Sequence, residues 1–140
     1  MDSEEILKRF QKHMGYTDED MVFFKSDPDK MKMVTQTPEF VKCRVIAEVI
    51  ESKGCHARHL VGDRFVITPG GQLLTEGAPK GICLSALASI NGLIPAIYER
   101  LISKSDPEFK RTQVVQCGDI GLENGGWGKI LMKVFLEKIS

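Results

Sequence analysis

The sequence predicts an α+β protein: an antiparallel β-β-α-β-β sheet packed on one long kinked helix, preceded by an N-terminal helical arm. Three observations predict it. Cys83, Leu87, Ile90, Ile94, Ile97 and Leu101 recur at steps of four and three, the spacing of one helical face. The segments 42–51 and 129–137 change to a period of two, with Cys43, Val45, Ala47 and Val49 along one side of the first and Ile130, Met132, Val134 and Leu136 along one side of the second. Before residue 40, apolar residues return to helical spacing between start and stop signals.

The arm begins with a helix over residues 2–14, in which Asp2 and Glu5 make a capping-box-like start, Ile6, Leu7, Phe10 and Met14 form the apolar stripe, and Gly15 stops it. Thr17, with Asp20 three residues on, reads as a second N-cap ahead of Met21, Val22, Phe23 and Phe24. Asp27-Pro28 breaks that helix and starts a further turn through Met31. Thr35 to Pro38 is a connector. It divides the chain into the arm, residues 1–40, and a core domain, residues 41–140.

In the core, a strand from Lys42 to Glu51 leads into a polar loop, Lys53 to Asp63, and a second strand, Arg64 to Thr68, returns as a hairpin ended by Pro69-Gly70-Gly71. The long helix follows over residues 79–104, and Pro95, close to Gly92, predicts its kink around 91–95. Asp106-Pro107 closes it. Strands from Arg111 to Cys117 and from Lys129 to Glu137 flank a glycine-rich loop, 118–128, that holds the only tryptophan, Trp127.

At 140 residues the chain can build a core without disulfide staples. Its 19 basic and 19 acidic residues balance, so no overall field draws it to nucleic acid or to an anionic membrane. The first residues are acidic and amphipathic, unlike a signal peptide, and no apolar run reaches membrane-spanning length; a cytoplasmic setting is expected. The four cysteines, Cys43, Cys55, Cys83 and Cys117, form no C-x-x-C pair and are expected to be thiols.

Gly54-Cys55 in the first loop, Val61-Gly62-Asp63-Arg64-Phe65 entering the second strand, Gly81-Ile82-Cys83-Leu84-Ser85-Ala86-Leu87 opening the helix and Cys117 ending the third strand carry a resemblance across residues 42–137. On these motifs the chain resembles a family of small cysteine-containing proteins, found mainly in anaerobic bacteria, that carries no assigned activity. The resemblance implies a bacterial, cytoplasmic setting. The arm and the glycine-tryptophan loop are additions to that pattern.

The candidate chemistry lies at element ends. Cys83 falls in the first turn of the predicted helix, where unpaired N–H groups favour a thiolate, and is the first candidate nucleophile; Cys117 and Asp119 join it as candidate catalytic groups. Cys55, His56 and His59 offer a thiolate and two imidazoles to an ion such as zinc or iron. Gly125, Gly126 and Trp127, with Cys55, suggest a ligand site, the glycines exposing backbone N–H groups beside an indole. Each has an alternative: the thiols as small core residues, a solvated loop histidine, and a wide hairpin whose tryptophan plugs the core. Two functions follow. One is a cysteine-lined small-molecule or metal site. The other is a non-catalytic accessory module that docks on a partner enzyme, or dimerises, through an arm bearing Met14, Met21, Met31 and Met33.

Overall fold

The computed structural model describes residues 2–36, 42–103 and 113–139. The chain divides into two compact units, Met1–Val41 and Lys42–Ser140. The predicted connector from Thr37, the Asp106-Pro107 closure, the first two residues of the predicted third strand and the Leu101 side chain lie outside what is described.

The first unit contains α1 (Ser3–Met14), α2 (Asp18–Lys25) and α3 (Pro28–Thr35). Asp2 accepts the Glu5 N–H at 2.9 Å, and Gly15 turns the chain left-handed at φ 71°. Thr17 and Asp20 form a complete capping box, with bonds of 3.0 and 2.9 Å. Asp27 caps α3 and Pro28 occupies its first turn. Ile6, Met21, Phe24 and Val34 make a small core, and the Phe10 ring packs on Phe24 with centroids 4.9 Å apart. Val22 and Phe23 stay outside it, 73% and 84% exposed.

The second unit is α+β. Its strands are β1 (Cys43–Lys53), β2 (Arg64–Ile67), β3 (Gln113–Gln116) and β4 (Lys129–Lys138), antiparallel throughout and ordered β2-β1-β4-β3. The pleat sends Val45, Ala47, Val49, Ile130, Met132 and Val134 into one core with Phe65, Ile67, Ala86, Ile90 and Ile97. On the opposite face Ile46, a neighbour of both Val66 and Phe135, is also buried, at 2% exposure. Arg64 and Lys133 lie over the Phe135 ring there, at 5.6 and 5.2 Å, and Arg64 pairs with Glu48 at 3.0 Å. The two long strands slip register between Val49 and Glu51, a bulge that carries Ile50.

The single kinked helix gives way to two helices, α4 (Leu84–Asn91) and α5 (Ile94–Ser103). Pro95 is the reason. Inside a continuous helix it would withhold an N–H from the Asn91 carbonyl and clash with it; when the chain stops at Asn91 and restarts at Ile94, Pro95 falls in a first turn, where no N–H is needed. The helical start also moves, from the Gly81-Ile82 region to Leu84, with Cys83 as N-cap. No helix among the described residues is long and apolar enough to cross a membrane.

Candidate functional site

Three segments meet beyond the ends of β1, β3 and β4. The first is the loop 54–63. Gly54 leaves β1 at φ 63°, a left-handed conformation, and Arg58 is the one non-glycine residue with positive φ among the described residues, at 58°. The Arg58 N–H closes a turn on the Cys55 carbonyl at 3.0 Å, and the Asp63 carboxylate accepts the Leu60 N–H at 2.8 Å. The loop end then rejoins the sheet, since Val49 exchanges backbone bonds with Gly62 and Asp63 at 2.9 Å each.

His59 locks this loop to the helix. The ring is 1% exposed, against the expectation of a solvated loop histidine, and it stands edge-on to Phe65 with centroids 5.2 Å apart. Nε2 accepts the Cys83 N–H at 3.1 Å, and the other ring nitrogen, Nδ1, is buried without a hydrogen-bond partner, 4.0 Å from Asp63 Oδ2. The Ser52 hydroxyl donates to the His59 carbonyl at 2.6 Å. One imidazole thus satisfies an N–H at the start of α4 that no side chain of the helix itself caps.

The third segment is the glycine-rich loop, built on Asp119. Its carboxylate accepts the N–H groups of Gly121 at 2.9 Å, Trp127 at 3.2 Å and Gly128 at 3.3 Å. The Gly121 bond above all holds the carboxyl below the usual carboxylate range; the Gly128 and Trp127 donors and neighbouring His56 act the same way, against partial desolvation that pushes it up. A Cβ at Gly126 would run into the Asp119 carboxylate, and one at Gly128 into the backbone of Lys53 and Gly54. The carboxylate against Gly126 and the backbone against Gly128 are why these positions are glycine.

Together the segments enclose a cavity of about 60 Å³ whose walls include Cys55, Cys83, Cys117, His56, His59 and Asp119. Cys117 is buried and its sulfur accepts the Ile130 N–H at 3.4 Å; Cys55 and Cys83 are partly exposed and also touch the core. Ser85, Ala86, Gly128 and Lys129 also line it. Gly125 and Gly126 line neither this cavity nor the larger one beside it. Trp127 does not plug the core: it is 68% exposed, with the His56 ring against it at 5.1 Å.

Asp119 has both oxygens engaged by backbone N–H groups, which makes it the tie of its loop. Of the expected ion ligands, His59 turns its Nε2 lone pair to the Cys83 N–H and the His56 ring lies against Trp127, while Cys55 lines the cavity. No group of three or more His, Cys, Asp or Glu side chains is arranged to hold a metal among the described residues. The buried state of His59 and the part of Lys129 had no sequence signal beyond their positions at element ends.

Comparison with protein-family models, with curated proteins and with solved structures finds no match to this chain.

Proposed function

We propose that the second unit is a small-ligand protein, with the thiol-lined cavity as its site and Cys83 as the group that holds or reacts with the ligand. The observation that carries this is the convergence of Cys55, Cys83 and Cys117, dispersed along the chain, on one cavity of about 60 Å³. That volume admits a few heavy atoms, since a single water needs roughly 10–15 Å³ on the same measure, so the ligand presents a compact group to the thiols. The uncapped start of α4, with Ser85 and Ala86 in the wall, favours partial negative charge on that group. A bacterial cytoplasm is the setting we assign to it, following the resemblance of the cysteine motifs.

Thiol labelling tests the reading. A small alkylating reagent at neutral pH, followed by mass mapping, modifies Cys83 and Cys55 in the native protein before Cys43, which is buried in β1. Replacing Cys83 with serine removes one of the two fast-labelling sites, leaving Cys55, at little cost in stability. If Cys83 labels no faster than Cys43 and its replacement costs roughly 1–3 kcal/mol, the residue is packing and the site is lost.

A second reading has its own observation. Val22 and Phe23 form an adjacent, largely exposed apolar pair on α2, which suits docking on a second copy of the chain or on a partner enzyme. Light scattering on the full chain and on Val22→Ser/Phe23→Ser tests self-association. A dimer that the double substitution dissociates supports it, and a monomer in both ends the dimer form of the reading.

A further inference from the structure

From the larger cavity that adjoins the thiol chamber across Gly128 and Lys129, we infer that the glycine-tryptophan loop forms a second binding site, for a small planar aromatic anion. This inference does not rest on the thiol site.

The cavity measures about 360 Å³, within the roughly 300–1,000 Å³ of small-molecule sites and six times the volume beside the thiols. Its apolar wall comes from Trp127, Leu122 and Ile120, which are 68%, 75% and 61% exposed. Three large apolar side chains left to water in one short loop cost solvation that a flat hydrophobic ligand would recover. An indole offers such a ligand a broad face, and His56 braces it at 5.1 Å.

Charge selects among flat ligands. Lys53 and Lys129 line the cavity against a single acidic residue, Glu123. The Lys53–Glu123 pair is loose, 4.0 Å apart with side chains 78% and 80% exposed, so Lys53 can turn to an incoming anion at little cost. Asp119 lines the thiol cavity and not this one, and its carboxylate is bonded to three backbone N–H groups.

The loop is shaped before any ligand arrives. Asp119 ties Gly121, Trp127 and Gly128 to one carboxylate, Gly121 and Gly125 take positive φ of 87° and 92°, and the Asn124 amide donates to the Ile120 carbonyl at 3.0 Å. A cavity held by this network loses little entropy on binding.

Because Trp127 is the only tryptophan, its indole N–H gives a single resonance in the proton–nitrogen correlation spectrum of the full-length protein. The probes are 1-naphthoate and its uncharged analogue 1-naphthamide, at concentrations up to about 10 mM, a range that captures millimolar binding. We expect 1-naphthoate to shift the indole resonance saturably and to bind roughly tenfold more tightly than 1-naphthamide, as charge-assisted contacts to two lysines imply. In Lys53→Gln/Lys129→Gln, with Lys53 exposed and the fold checked by the rest of the spectrum, naphthoate falls to the level of the amide. In Cys83→Ser its binding is unchanged. No saturable shift, equal affinity for both probes, or indifference to the double lysine substitution overturns the inference. So does loss of binding in Cys83→Ser, which would move the ligand to the thiol cavity.

Discussion

Asp119 shows how one residue changes meaning between sequence and structure. Beside Cys117 it reads as an acid-base group; folded, it gathers three N–H groups and fixes the loop that walls both cavities. The consequence is a pH dependence of stability. Its folded carboxyl titrates below the ordinary value of 3.8, so its stabilisation is fully present above that value and is lost as pH falls through the folded pKa. Asp119→Asn, with no charge and one acceptor oxygen in place of two, should unfold at lower denaturant concentration than the parent at neutral pH. The two midpoints should converge as the pH is taken into the acid range. A gap that stays constant down the whole titration would show that Asp119 is not the tie.

At the scale of elements, the interruption between α4 and α5 belongs to Pro95, not to Gly92. Gly92 sits in right-handed helical geometry, φ −62° and ψ −22°, and a Cβ there would meet the Ser89 and Ala88 carbonyl oxygens at ordinary contact distances, 3.7 and 3.9 Å. Gly92→Ala therefore removes backbone freedom from the unfolded chain without a clash. We expect it to stabilise the protein by about 0.4–1 kcal/mol in equilibrium denaturation. A loss of stability would mean that the break needs glycine. The same element carries the His59 latch, which joins a loop to a helix start that cannot cap itself with cysteine.

Across the whole molecule, two hydrophobic clusters sit in two separate units: one around Met21 and Phe24, the other around Val45, Phe65 and Met132. Each unit closes its own core, so a chain beginning at Lys42 should keep the sheet and unfold in one cooperative transition, followed by circular dichroism in urea. A truncated chain without a cooperative transition would show that the sheet needs the arm.

The helices of the arm, the strands and the hairpin were legible because their signals are local: a capping box is four residues long, and alternation along β1 or β4 needs no knowledge of the partner strand. So was the placement of Cys55, Cys83 and Cys117 at element ends, and with it a shared site as an expectation. Pro95 was visible as a disturbance, but not as a complete stop, because the choice between a kink and a restart depends on what Ile90 and Ile97 pack against. What only the tertiary structure decided concerns groups whose partners are distant in sequence. His59 read as an ion ligand or as a solvated loop histidine, and its burial with Nε2 on the Cys83 N–H came from segments distant in sequence. Trp127 read as a ligand face or as a core plug, and the choice fell once the indole stood 68% exposed beside the contact of Gly128 with Lys53 and Gly54. Local patterns determine which backbone forms; burial and the direction of a lone pair are set by residues from other segments, and no spacing along the chain encodes them.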